Sequence, residues 1–497
     1  MRNEPNKTNT HGLERCHAVV VGAGMGGLLA ARVLARHFGR VTILERDALA
    51  PEGPGGGRRK GVPQGRHLHS LAARGWEILE RYFPGLDDEL AAAGCPELDQ
   101  AGDAITDLPA GRLPRFRSSI TMRAASRYGL EERVRRRVEA EPSVHFLTGR
   151  EVIGLVTGED GAVAGVRTRL RDGSGVGAEE VVAADLVVDA SGQSSRAPRW
   201  LEKLGYDAPE EEVVDARLGY ATRWYRVPEG FSGDWKGVSI LPGWPHSPRG
   251  GTMRRVEGGF WTVVLVGIGG DYPPTDEDAF VEFARSLHSP TIYEAIKDAE
   301  PASPVYGYRG TANRRRLYDR VRLPENFLVF GDAACVLNPS YGSGMTAAAL
   351  SVEALDGCLR ELKRRAPGLT VRLDGLERRF HKGQRRAVAP CWTLTANSDR
   401  QWASENLDGL GPARRVLHRV SEEVMGLAVE REDVARALLE TKNLLKSPFA
   451  LLRPGILLPA LWRAAFTPRV ESSHKPLDPQ KEGEWKSAPT GASIGSS

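Results

Sequence analysis

The sequence predicts an α/β fold: a parallel-sheet domain built on a βαβ unit, interrupted by an inserted antiparallel sheet and followed by a helical C-terminal region. Three observations predict it. Val19-Val20-Val21-Gly22-Ala23-Gly24-Met25-Gly26-Gly27 runs from an apolar strand into a Gly-rich turn, and residues 28–38 and 41–44 supply a helix and a second strand that closes on Glu45. A second strand, turn and helix recur about three hundred residues later, in 327–330, Gly331-Asp332-Ala333-Ala334 and 346–362. Between them, residues 216–268 change texture to alternating, aromatic-rich strands.

The first stretch has the order of a nucleotide-binding unit. Gly22 permits a sharp turn, Gly24 lets backbone approach a pyrophosphate, Gly27 lets helix pack close to strand, and Glu45 sits where a ribose hydroxyl would donate to it. Residues 51–57 are a Pro/Gly loop leading into Arg58-Arg59-Lys60-Gly61-Val62-Pro63-Gln64-Gly65-Arg66-His67-Leu68-His69. That basic run reads either as a solvated loop or as a set of groups that neutralise phosphates or line the edge of a bound ring. Residues 71–83 and 123–138 have helical periodicity, and 144–147, 152–156, 163–170 and 180–188 read as strands joined by hairpin turns. The run 184–189 ends on the turn Ala190-Ser191-Gly192.

Alternation over 216–268 predicts an antiparallel sheet with one face open, able to wall a cavity, with Tyr220, Arg223, Tyr225 and Trp244 as candidate substrate contacts. The second Gly-rich turn, Asn338-Pro339-Ser340-Tyr341-Gly342-Ser343-Gly344-Met345, opens a small-residue helix whose N-terminus suits an anion. Two such termini suit a long cofactor held at both ends. The organisation expected is a disordered tail over 1–15, a discontinuous nucleotide-binding domain over 16–215 and 310–360, a substrate domain over 216–309, a helical region over 361–469, and a disordered tail over 470–497.

Composition excludes several classes. Among 497 residues, 68 basic against 64 acidic side chains leave +4, too small a surplus to imply nucleic acid, and clusters such as Arg314-Arg315-Arg316 read as solvated faces. The five cysteines lack metal-ligand or redox-pair spacing, so a reducing, cytoplasmic setting is expected, with no metal. The N-terminus has no apolar signal region, and no window reaches the length of a transmembrane span. Residues 444–466 are apolar but broken by charges and prolines, and are expected to lie on the protein, with a peripheral membrane surface as the alternative.

With these residues placed, the chain resembles the FAD-dependent monooxygenases of the para-hydroxybenzoate hydroxylase superfamily. Gly22-x-Gly24-x-x-Gly27 with Glu45, Asp189-Ala190-Ser191-Gly192, and Gly331-Asp332 followed by Pro339-x-x-Gly342-x-Gly344 carry the match. The basic run from Arg59 to His69, Asn313-Arg314-Arg315 and Tyr318-Asp319-Arg320 look like the branch containing the olefin epoxidases of polyether biosynthesis. The resemblance implies a Rossmann-like FAD-binding domain, with Glu45 on the adenosine ribose, Val152 by the adenine, Arg127 on the cofactor, Asp332 on its ribityl or pyrophosphate part, and Gly342 to Met345 under the flavin ring. It extends the cofactor set to Met25, Arg46, Arg58, Asp189, Gly192, Gly331, Pro339 and Gly344.

The activity implied is transfer of one oxygen atom from O2, through a flavin hydroperoxide, to a small apolar substrate, by epoxidation or hydroxylation. NAD(P)H would visit as electron donor, or a separate flavin reductase would serve. Arg66, His67 and His69 are candidates to orient the flavin or to donate to the departing hydroxide, or are structural. Two departures stand out: Cys335 lies where many superfamily hydroxylases carry His, and Met345 where they carry Asn. The rivals are a flavin-dependent reductase or saturase of prenyl chains, and an FAD-binding chaperone or sensor. A flavin halogenase is disfavoured because the W-x-W-x-I-P motif is absent from the sequence.

Overall fold

The computed structural model describes residues 13–49, 64–171, 177–365, 373–403 and 411–466. Its organising sheet is five-stranded and parallel, ordered Phe327–Val329, Leu186–Asp189, His17–Val21, Arg40–Glu45, Val144–Thr148. The first strand shows why the runs are apolar at every position. Ala18 and Val20 enter one core with Leu28 and Val33 of the helix Met25–Leu34 and with Val352 and Leu355 of the helix Gly344–Arg365, whereas Val19 and Val21 enter a second core with Val152, Val187 and Trp200. A strand covered on both faces has no polar side to alternate with.

The second core sits under a three-stranded antiparallel meander, Arg150–Thr157, Val163–Leu170 and Glu179–Ala183. The expected single strand over 180–188 is two strands in two different sheets. Asp185 marks the break, because its carboxylate accepts from the His17 backbone N–H at 2.7 Å and so ends one ladder where the other begins. The expected helix over 123–138 begins later, as Arg127–Glu139, since Ser126 caps it by accepting from Gly129 N–H at 3.1 Å while Thr121–Arg123 pairs as a strand.

The inserted sheet has seven strands, ordered Tyr306–Tyr308, Gly219–Arg226, Phe260–Gly267, Arg249–Val256, Gly237–Ile240, Ala104–Leu108, Gly111–Arg112. It departs from the expectation in two ways. Gly237–Ile240 pairs parallel with Ala104–Leu108, and neither face of Gly219–Arg226 is open. On one face, Ala221, Tyr225, Val263 and Met253 pack against Phe280 and Ile292 of the helices Glu277–Arg285 and Thr291–Ile296. The other face, with Tyr220, Thr222 and Trp224, turns toward the segment 66–69.

The helix Gly344–Arg365 runs on through residue 360, and Leu376–Ala403 packs along it. The helices Pro412–Glu430, Glu432–Lys442 and Pro454–Phe466 close the far side around Leu108, Leu427 and Val434. Residues 444–466 do lie on the protein, through Ile456 and Ala460. Their outer face, with Leu458, Leu461, Trp462 and Phe466, stays exposed. No helix among the described residues is long and apolar enough to cross a membrane.

Candidate active site

The carboxyl ends of three adjacent strands, His17–Val21, Leu186–Asp189 and Phe327–Val329, bring the turns at Gly22, Ala190 and Gly331 to one edge of the parallel sheet, and the turn Asn338 to Met345 follows Cys335–Val336, which pairs with Asn313–Arg316 in a separate three-stranded sheet. Ligands of open α/β sheets bind at such an edge. At the first turn the glycines divide the work. Gly22 has φ of +100°, and a Cβ there would meet the Ala190 carbonyl at 2.7 Å; a Cβ on Gly27 would lie 1.8 Å from the Gly22 carbonyl oxygen. Gly24 differs: its φ is −75°, and a Cβ there meets no protein atom within 4 Å. Gly22 and Gly27 are required by the protein's own backbone, whereas Gly24 faces open space, the clearance a pyrophosphate needs to approach the helix N-terminus.

Glu45 is buried beneath this turn, its Oε2 accepting from Ala23 N–H at 2.8 Å and its Oε1 from Asp47 N–H at 2.9 Å. Met25 begins the helix and is buried, Arg46 is half-buried, and Val152 packs in the core beside Val21 and Leu44. Arg58 lies outside the described residues. Asp189 is wholly enclosed, accepting from Ser191 N–H at 3.0 Å and Ser195 Oγ at 2.5 Å, and burial pushes its carboxyl up. That corrects its place among cofactor ligands: it shapes the turn at Gly192, whose φ is +79°, and does not itself reach the cleft.

At the second turn, Gly331 has φ of +61° and Asp332 follows, its carboxyl pushed up to about 6 by burial, against the opposing pull of Arg127. Arg127 is buried and pairs with Glu131 one turn along its helix. Gly342 has φ of +67°, and a Cβ there would press on Ser70 Cβ at 2.6 Å, so this turn is fitted against the segment after His69. Gly344, like Gly24, faces open space.

A set of residues that the sequence reading missed holds the turn from behind. Asp399, fully buried on Leu376–Ala403, accepts from Asn313 Nδ2 at 2.6 Å, Asn338 Nδ2 at 2.9 Å and Tyr341 Oη at 2.8 Å, and burial pushes its carboxyl to about 6. Asn338, wholly buried, caps Ser340 N–H at 3.1 Å, so Asp399 fixes Pro339 to Gly342 through its partners. A lone Asp in a long helix carries no local signal of this role; the family-like Asn313 was the visible half of the network.

Between the turns and the inserted sheet is a cleft walled by Leu68, His69, Leu71, Trp76, Met122, Arg127, Leu130, Arg254 and Met345. The three residues expected to act in catalysis divide. Arg66 stacks its guanidinium 4.6 Å from the Tyr306 ring, and its carbonyl accepts from Trp224 Nε1 at 3.2 Å. His67 is buried, with Nδ1 2.7 Å from Thr222 Oγ1 and its ring edge-on to Tyr220 at 4.7 Å. His69 alone of the three lines the cleft, with Nδ1 3.0 Å from the His67 carbonyl.

Burial pushes both imidazoles down to about 3, so both are neutral at physiological pH. Because the partner of His69 Nδ1 is a carbonyl, Nδ1 carries the proton and Nε2 is left as an acceptor. His69 is therefore built to accept a hydrogen bond, not to donate to a departing hydroxide. A folded value of about 3 against 6.5 for the free ring means that His67 contributes stability above pH 6.5 and loses it as pH falls toward 3. His67→Gln is expected to flatten the stability profile over that window by up to about 1.4 kcal/mol per pH unit, read from urea midpoints. Profiles of equal slope for variant and wild type would contradict it.

The candidate substrate residues sort by strand parity. Tyr220 is on the face of its strand that turns to His67. Arg223 and Tyr225 point the other way, Arg223 pairing with Glu277 and Tyr225 packing with Trp261, so neither reaches the cleft. Trp244 packs edge-on against His418 at 4.8 Å and is not among the cleft-lining residues. Cys335 is buried with its thiol pushed up to about 12, which suits packing and not nucleophilic chemistry.

The comparisons with known proteins agree with this geometry. The FAD binding domain family matches residues 15–355. Protein Rv3254 of Mycobacterium tuberculosis is 32% identical over 450 residues, covering 88% of this chain and 92% of its own. Kynurenine 3-monooxygenase of Salinispora arenicola is 27% identical over 366 residues, covering 72% and 75%. Among solved structures, a flavoprotein/dehydrogenase from Cytophaga hutchinsonii shares the fold at a TM-score of 0.62 with 17% identity, covering 91% of this chain and 99% of that one.

Proposed function

Since the chain belongs to the FAD binding domain family, the para-hydroxybenzoate hydroxylase-like flavin monooxygenases, we propose that it uses O2 to oxygenate a small, largely apolar secondary metabolite, by epoxidation or hydroxylation. The observation that carries the reading is the pair of glycines, Gly24 and Gly344, that face open space at the N-termini of two helices packed against each other, Met25–Leu34 and Gly344–Arg365. The residues fit FAD: Glu45 and the backbone around Gly24 would hold its adenosine diphosphate half, Arg127 and Asp332 its middle, and the turn Gly342 to Met345 its flavin.

Bound and reduced, FAD supplies the two electrons by which one oxygen atom of O2 enters the substrate and the other leaves as water. The protein's own contribution is positional. Amide N–H groups at the start of Gly344–Arg365 would favour negative charge on a flavin ring held at that turn. Leu68, Leu71, Trp76, Leu130 and Met345 supply the apolar part of the cleft wall, against which an apolar body would lie. His69 Nε2 accepts a hydrogen bond from the cofactor or the substrate.

Only one complete dinucleotide fingerprint occurs in the sequence, so we infer that the donor visits and leaves, as NAD(P)H or through a separate flavin reductase. The five free cysteines suit a reducing, cytoplasmic setting. Oxygen uptake by the FAD-loaded protein with NADH, NADPH or a supplied reductase tests the reading when candidate substrates are added. Uptake that rises with a substrate, with less than equivalent peroxide released, is expected. Substrate turnover that proceeds equally well without oxygen would replace the oxygenase with a reductase.

A further inference from the structure

The cleft carries a cation that the cofactor reading leaves without a task. Arg254 lies on Arg249–Val256 in a cross-strand row with Thr262 and Trp224, on the face that turns toward the site. Every other arginine on the cleft wall has a carboxylate partner: Arg123 has Asp87 and Arg127 has Glu131. Among the described residues Arg254 has none, and its guanidinium donates to Met122 Sδ at 3.3 Å. Lys442, at the end of Glu432–Lys442, is near enough for its charge to oppose that of Arg254, and it too has no carboxylate partner among the described residues.

Beside Arg254, Thr262 is wholly buried, with no hydrogen-bond partner for its hydroxyl among the described residues. A guanidinium drawn out of water without a counter-charge is costly, and a thioether is a weak acceptor. Burial pushes Arg254 down to about 10, while Lys442 keeps access to solvent.

We propose that Arg254, supported by Lys442, binds a carboxylate on the substrate, so that the substrate is an amphipathic acid whose apolar body lies along Leu68, Trp76 and Met345 toward the flavin turn. The proposal rests on the oxygenase reading and narrows it, since the sequence-based expectation was of an apolar substrate. Arg254 belongs to the inserted sheet, whereas the turn Gly22 to Gly27 that would take the phosphates follows a strand of the parallel one and is not among the cleft-lining residues.

The test uses FAD-loaded protein and a panel of straight-chain and aromatic carboxylates, each paired with its primary amide, with perturbation of the flavin absorbance as readout. At least one carboxylate is expected to bind about tenfold or more tightly than its amide. Arg254→Met should abolish that preference, and Arg254→Lys should restore part of it. Equal binding of acids and amides, no binding by any acid, or an Arg254→Met variant that keeps the preference would overturn the proposal and leave the oxygenase reading intact. An Arg254→Lys variant that purifies without FAD would also overturn it, by assigning the residue to the cofactor's phosphates.

Discussion

Gly24→Val is expected to give a protein that folds as wild type does and holds no FAD. The backbone at Gly24 has φ of −75° and ψ of 178°, a region any residue adopts, and a Cβ there meets no protein atom within 4 Å. The apoprotein's unfolding free energy should therefore change by no more than about 1 kcal/mol. The side chain would stand where a pyrophosphate must approach the helix N-terminus, and FAD affinity should fall by about a hundredfold or more. Gly27→Ala is the contrasting case, because its Cβ would lie 1.8 Å from the Gly22 carbonyl oxygen and force strand and helix apart. Its cost should appear in the apoprotein, as about 3 kcal/mol or more of lost stability. Urea unfolding of the two apoproteins and flavin titration of the folded ones check both. A Gly24→Val protein that retains FAD would remove the cofactor from this turn.

Asp399→Ala is expected to have the second-largest effect, although Asp399 touches neither turn backbone nor cleft. Removing its carboxylate strands the Asn313 and Asn338 amides and the Tyr341 hydroxyl, of which the two amides belong to side chains with no exposure. At about 1–3 kcal/mol for each of the two buried amides left without a partner, the loss is roughly 2–6 kcal/mol. The loss should be local in its consequences as well. Asn338 caps the turn that carries Gly342 and Gly344, so the folded fraction should bind FAD more weakly and leave the flavin more exposed to an external quencher. Asp399→Asn should fall between the two, because its amide oxygen still accepts while its NH2 group opposes donors. If Asp399→Ala unfolds at the wild-type urea concentration, the network does not support the turn.

What the sequence revealed and what it hid follow from the range of the forces involved. The parallel sheet and its turns were readable because each is local: an apolar run, a glycine forced by backbone contact, and a helix start within ten residues. Parity within Gly219–Arg226 was also readable in principle. Tyr220, Thr222 and Trp224 share one face, so Arg223 and Tyr225 had to point away from whatever Tyr220 faces. Naming Tyr220, Arg223 and Tyr225 together as substrate contacts runs against that alternation.

The protonation states of His67 and His69 were not readable, because they depend on burial by a strand about 150 residues away and on a carbonyl two residues back. Nor were Asp399 and Arg254. One is an acid whose partners are Asn313, Asn338 and Tyr341, and the other is a cation marked only by the carboxylate it lacks. The break at Asp185 was missed for a simpler reason: the apolar pattern continues through it, while the chain passes from one sheet to another.

The most direct measurement is rapid mixing of the anaerobically reduced, FAD-loaded protein with oxygenated buffer, alone and with the carboxylate panel, following the flavin spectrum and the peroxide released. The account predicts that at least one acid gives a transient spectrum distinct from both reduced and oxidised flavin, and that its decay coincides with substrate oxygenation and with less than one equivalent of peroxide. Single-step reoxidation with a full equivalent of peroxide under every condition would contradict the account of this protein as an oxygenase.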